Sequence, residues 1–207
     1  MPADRLADPA FFAALLDRFG RHYPDGDRHA VASFWSQHYF ARLTIPLTAL
    51  CLAAGAEIGL DLTSLGVRFC AEAGTPVSFH LRCGGPARAP EALVKGLYEE
   101  QVAGTVAILK RHSGLSARLF WENAGSYGMW ILGELARTRP ETVDAARRLL
   151  ADGQWPRAGC AMLSHLKDAA REARPDPRRV CCLRYRIPGV GRCAGSCPMP
   201  AEEAAGA

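Results

Sequence analysis

Four of the eight cysteines fall within the segment RRVCCLRYRIPGVGRCAGSCPMP, residues 178–200, as Cys181, Cys182, Cys193 and Cys197. Their spacing is C-C-x10-C-x3-C. Four thiols this close in sequence can wrap one metal ion or one cluster, and the Gly and Pro residues between them permit the tight turns required. Structural zinc sites favour ligand pairs with roughly two to four residues between them, a spacing that Cys193 and Cys197 meet. The vicinal pair does not, because adjacent side chains of an extended chain point to opposite faces. A two-iron cluster is larger and offers more separated binding points. Spacing alone leaves iron–sulfur and zinc both open, with a vicinal disulfide or merely reactive thiols behind them. Cys51, Cys70, Cys83 and Cys160 stand singly and read as small core residues.

Charge gathers around the same tail. The whole chain carries +4, yet between Arg171 and Arg192 seven arginines (171, 174, 178, 179, 184, 186 and 192) face only Glu172 and Asp176. The remainder is close to neutral. Such a patch can steer an acidic electron-donor protein or an anionic chelate. A nucleic-acid role is not expected, since aromatic interleaving stops at Tyr185 and no nucleic-acid-binding module is recognisable.

The tail resembles the C-terminal signature of the FhuF-like ferric siderophore reductase family. Members end in an adjacent cysteine pair followed by Leu-x-Tyr, a proline, and two further cysteines ahead of a proline. Cys181, Cys182, Leu183, Tyr185, Pro188, Cys193, Cys197 and Pro198 match in order. The last pair departs from the pattern, because the family's usual C-x2-C is here C-x3-C, with Ala194-Gly195-Ser196 between the cysteines. The segment Trp121-Glu122-Asn123-Ala124-Gly125 resembles a second family feature, an Asn-Ala-Gly stretch on a helix. The resemblance implies a 2Fe-2S cluster on Cys181, Cys182, Cys193 and Cys197. It further implies one-electron reduction of Fe(III) in a siderophore or similar ferric chelate, with a ferredoxin- or flavodoxin-like protein as electron donor. The alternative is a non-enzymatic binding protein of a siderophore pathway, stabilised by zinc or by an iron–sulfur cluster.

Other residues qualify as substrate or donor contacts. Arg178, Arg179 and Arg184 flank the cysteines. Asn123 and Tyr127 share one predicted helix, where Asn123 is equally suited to a buried hydrogen bond. His80 and Arg82 are two residues apart on a predicted strand and so share a face. His165 and Lys167 precede the tail. His22, His29, His38 and His112 show no metal-ligand spacing, and neither a dinucleotide-binding glycine loop nor a P-loop is present.

The elements that must position these groups follow from periodicity and punctuation. Pro9 to Tyr23 reads as an amphipathic helix capped by Asp8, and Tyr23-Pro24-Asp25-Gly26 as a turn. Asp27 caps a second helix, Arg28 to Leu43, and a third segment starts at Pro46, a residue suited to a first helical turn. Leu60 to Thr63, Gly66 to Ala71 and Pro76 to Arg82 read as short antiparallel strands. Helices are expected from Pro90 to His112, Leu115 to Thr138, Pro140 to Ala151 and Ala158 to Ala173, with Trp121 and Trp130 as core residues. The predicted fold is α+β. It comprises a mainly helical, chelate-binding body over residues 1–173, a small sheet at about 57–83, and an iron–sulfur tail over 174–207. The N-terminal residues lack a basic, apolar signal-peptide pattern. The most apolar window, Leu43 to Ala56, is shorter than the ~20 residues needed to span a bilayer. The expectation is a soluble cytoplasmic protein, with peripheral contact at the inner membrane left open, in which eight cysteines do not form a disulfide framework.

Overall fold

The computed structural model describes residues 1–54, 62–82, 89–139, 178, 180–193 and 197–199. The expected helices over 140–151 and 158–173 lie outside these residues, as do Leu60, Cys83, Cys160, His165, Lys167, Arg179 and the loop 194–196.

Helix α1 spans Pro9–Gly20 and begins as the sequence predicts, with the Asp8 carboxylate accepting from the N–H groups of Ala10 and Phe11 at 3.0 and 3.2 Å. Gly26 N–H bonds back to the Tyr23 carbonyl and closes the expected turn. Helix α2 runs unbroken over Arg28–Ala54, with Asp27 accepting from Ala30 N–H at 2.9 Å. The expected break at Pro46 is absent. Pro46 sits on the exposed edge of α2, where the carbonyl it leaves unbonded can reach water, while Leu43, Thr44, Leu47 and Thr48 on either side are buried. A mid-helix proline costs about 3 kcal/mol, an amount that burial of two large apolar side chains can offset.

Strands β1 (Leu65–Phe69) and β2 (Pro76–Leu81) form one antiparallel hairpin in which Val67 faces Phe79 and Gly66 faces His80, with a bulge at Arg68/Phe69. Leu62 and Thr63, expected at the end of a strand, lie in a turn instead. Gly74 makes the hairpin bend with φ +66°, and a Cβ there would clash with the Leu15 carbonyl oxygen of α1. That close approach lets Trp35 Nε1 donate to the Gly74 carbonyl at 2.8 Å.

Helices α3 (Pro90–Gly96) and α4 (Ala103–Ser113) are joined by a π-helical turn, Leu97–Val102, so the expected single helix is present but widened in the middle. Gly114, in the left-handed region, ends α4. Helix α5 (Ala117–Thr138) starts at Ser116, whose hydroxyl accepts from Leu119 N–H. Trp121 is buried as expected, but Trp130 is 54% exposed. Helix α2 is the hub. It packs most extensively on α5 and also meets α1, α3, β2 and the cysteine tail. The observed architecture is mainly helical with a small antiparallel sheet and a cysteine-bearing C-terminal segment. No helix among the described residues is long and apolar enough to cross a membrane.

Candidate functional site

The tail is held against α2 and α5 by a buried polar seam. Ser33 on α2 donates its hydroxyl to the Cys182 carbonyl at 2.8 Å. Ser36, one turn on, donates to the Ser33 carbonyl at 2.6 Å. Asn123 of α5 reaches across, with Nδ2 at 2.8 Å from Ser36 Oγ, 3.2 Å from Ser33 O and 3.3 Å from Ser33 Oγ. Its Oδ1 accepts from the Arg178 guanidinium. Ser33, Ser36 and Asn123 are all fully buried, as a satisfied polar network must be.

Within this frame the cysteines converge. Cys182 Sγ and Cys193 Sγ are 3.7 Å apart although eleven positions separate them in sequence. Two thiolates on one tetrahedral metal with metal–sulfur bonds of ~2.3 Å would stand ~3.7–3.8 Å apart, so this pair already has the edge length of a metal tetrahedron. Sequence spacing points to Cys193 and Cys197 as one pair that meets zinc-ligand spacing, and the structure also brings the distant Cys182 to Cys193. Charges on Cys182 and Cys197 each act on both Cys181 and Cys193. None of the four is in a disulfide.

Backbone geometry after the vicinal pair serves the same end. Leu183 has φ +64°, the only non-glycine with positive φ among the described residues, and Arg184–Arg186 follow as a 3-10 turn. A bulky side chain is uncommon in that region, and such strain concentrates at functional sites. The turn brings backbone N–H groups to the sulfurs: Leu183 N–H lies 3.4 Å from Cys181 Sγ, and the Arg184 backbone helps to lower the Cys182 thiol. Consecutive backbone N–H groups arranged this way form an anion-binding concavity of the type used at iron–sulfur sites.

The electrostatics separate the two partners of the close pair. A shared proton with Cys193 pulls Cys182 down to about 5 against the opposing effect of burial, with the Arg184 N–H, the Arg178 charge and the Gln37 amide assisting. Cys193, holding that proton beside an ionised neighbour, is pushed well up. Burial raises Cys181 and Tyr127, and Tyr127 feels Arg184, Arg178, Cys182 and Cys193. Two buried donors around the cysteines, Arg178 Nε and Arg184 Nε, have no hydrogen-bond partner. Orphaned buried donors are costly, and an anionic sulfur cluster has the acceptor chemistry to satisfy them. The donor set, the sulfur spacing and these donors fit a 2Fe-2S centre. Among the described residues no three His, Cys, Asp or Glu side chains gather as a single-ion site.

The contact residues expected from sequence divide. Arg178 is 5% exposed and Asn123 fully buried, so neither faces an incoming partner; both belong to the seam behind the cysteines. Arg184 lies with its guanidinium 4.9 Å from the centre of the Phe34 ring, and Tyr127 is half-buried beside it. His80 is on β2, bonded through Nε2 to Ser78 Oγ at 3.2 Å, and Arg82 follows the strand; both are exposed. Ser33, Ser36 and Gln37 were not anticipated. Their signal was present as a cluster of polar residues, together with His38, within a largely apolar stretch of α2, Ala30 to Phe40.

Two family comparisons match the chain. The family described as ferric iron reductase FhuF-like transporter covers residues 33–173, and the FhuF 2Fe-2S C-terminal domain covers residues 178–198. No curated protein matches it closely enough to count.

Proposed function

This chain belongs to the FhuF-like ferric iron reductase family and carries its 2Fe-2S C-terminal domain, and from that membership we propose that it reduces Fe(III) held in a siderophore or similar chelate, releasing Fe(II). The observation that carries the site assignment is the 3.7 Å approach of Cys182 Sγ to Cys193 Sγ, with the Cys182 and Cys197 charges each acting on both Cys181 and Cys193. These four cysteines are the proposed ligands. When bound, a 2Fe-2S centre supplies one electron at a time, which matches the Fe(III)/Fe(II) couple.

The chain's own residues do the rest. Ser33 fixes the Cys182 carbonyl, and with it the direction of the vicinal pair. The Leu183 N–H and the Arg184 backbone favour the two sulfurs as thiolates. The buried seam keeps water from one side, while Cys181, Cys193 and Cys197 remain partly exposed on the other, where a chelate or donor can approach. Arg184 and Tyr127 border that side. Arg186, about half exposed beside Asp27, adds positive charge suited to an acidic donor protein or an anionic chelate. Siderophores hold Fe(III) with hard oxygen donors and Fe(II) far less tightly, so electron delivery alone loosens the metal and no ligand bond need be cut.

Replacing Cys181, Cys182, Cys193 or Cys197 singly by Ser is expected to bleach the visible sulfur-to-iron absorption or shift it. Replacing Cys51 or Cys70, which lie apart from the tail, is expected to leave it unchanged. A dispensable cysteine among the tail four, or a colourless protein that binds zinc stoichiometrically after anaerobic purification, would overturn the assignment.

A further inference from the structure

Arg178 is a buried cation. It is 5% exposed, its guanidinium donates to the neutral Asn123 Oδ1, and its Nε has no partner. Among the described residues no carboxylate pairs with it. Desolvating a charge costs several kcal/mol unless an opposite charge or a full set of hydrogen bonds answers it. One amide acceptor is not a full set for a group with five donors.

The orientation of Asn123 is forced. Ser33 has committed its hydroxyl hydrogen to the Cys182 carbonyl, and Ser36 has committed its own to the Ser33 carbonyl. Only lone pairs remain on those two oxygens, so Asn123 must turn its NH2 group to them and its Oδ1 to Arg178. The guanidinium is thereby fixed next to the cysteines, and its charge acts on Cys181, Cys182 and Cys193 together.

We infer that Arg178, locked in place by Asn123, is the internal counter-charge of the cluster and sets its reduction potential, with Asn123 as the positioning residue. The inference rests on the four-cysteine ligand reading above. Reduction adds one negative charge to a group that is already anionic. A fixed positive charge in a water-poor seam favours the reduced form more strongly than a surface arginine such as Arg186 can, because surface charges are screened by water and salt. Arg178 therefore governs how readily the centre accepts an electron, while the exposed arginines act on encounter.

The test is a redox titration followed by electron paramagnetic resonance on the full chain, with iron and acid-labile sulfide measured on every sample. Asn123→Asp keeps the shape of the side chain but neutralises the guanidinium, and Arg178→Gln removes the charge. Both are expected to lower the potential, and the shift should persist at high salt. Arg178→Lys keeps a charge and should return the potential toward that of the unaltered protein, while Arg68→Gln on β1 should leave it where it was. If Arg178→Gln loads poorly, the loaded fraction still gives its potential, and Asn123→Asp supplies the second reading. A loaded Asn123→Asp or Arg178→Gln protein at the original potential overturns the inference. An unaltered protein without a cluster signal overturns the ligand reading instead, and the inference with it.

Discussion

The two buried faces of α2 solve opposite problems. One face carries Trp35 and Tyr39 into an aromatic stack: Trp35 lies 5.4 Å from Phe12 and 5.5 Å from Tyr39, and Tyr39 lies 5.4 Å from Phe79. Trp35 anchors that stack by donating to the Gly74 carbonyl, and most of its stabilisation is area and ring geometry. The other face carries Ser33, Ser36 and Gln37 into the seam with Asn123, Arg178 and Cys182, where little area is gained and nearly every contact is directional. A helix with both sides buried lets one side supply rigidity and the other spend it on placing charges. The aromatic face explains why the protein folds, and the polar face explains what it holds.

Mutations can separate the two. Trp35→Ala is expected to cost ~3–5 kcal/mol of stability while leaving the potential of whatever cluster is loaded unchanged, as measured by urea denaturation and redox titration. Ser33→Ala should cost less, about 1–2 kcal/mol for a lost buried hydrogen bond and a stranded acceptor, yet should shed its cluster faster under chelator challenge. If Trp35→Ala shifted the potential, or Ser33→Ala held its cluster as firmly as the unaltered protein, the division between the faces would fail.

A smaller effect comes from His38, between them. It packs on Phe19 and Phe34, and burial, followed by the Arg42 and Arg184 charges, lowers it from 6.5. The unfolded chain therefore binds this proton more tightly than the folded one. The stabilisation is fully present above 6.5 and is lost as pH falls through the lowered folded value. His38→Gln should flatten that part of the stability–pH curve in cluster-free protein, measured by denaturation between pH 7.5 and 5. An unchanged slope would show that His38 does not report on this packing.

Much of the fold was legible where the signal is local. Asp8 and Asp27 cap helices through side-chain oxygens, and the hairpin around Gly74 lies between the two predicted strands. The breaks that failed were judged locally when tertiary packing decided them: Pro46 reads as a start, but buried neighbours on both sides carry α2 through it. The π turn at Leu97–Val102 left no periodicity to read. At the site, the four cysteines stand out in the sequence as the proposed ligands because a vicinal pair is chemically unusual. Which sulfurs meet was not legible, because the approach of Cys182 to Cys193 depends on the Leu183 turn and on Ser33, 149 positions from Cys182. For the same reason Arg178 read as a surface charge: it sits in a basic run, and only the packing of α2 against α5 shows that it is buried.

In the proposed reaction an electron held by the cysteine tail passes to chelated iron. Its most direct test is an anaerobic single turnover, mixing the fully reduced protein with an excess of a ferric siderophore and trapping Fe(II) with a chromogenic chelator. One Fe(II) per cluster is expected, appearing as the reduced-cluster paramagnetic signal disappears, and none from protein stripped of its cluster. Oxidation of the cluster without Fe(II), or Fe(II) formed equally by stripped protein, would contradict it.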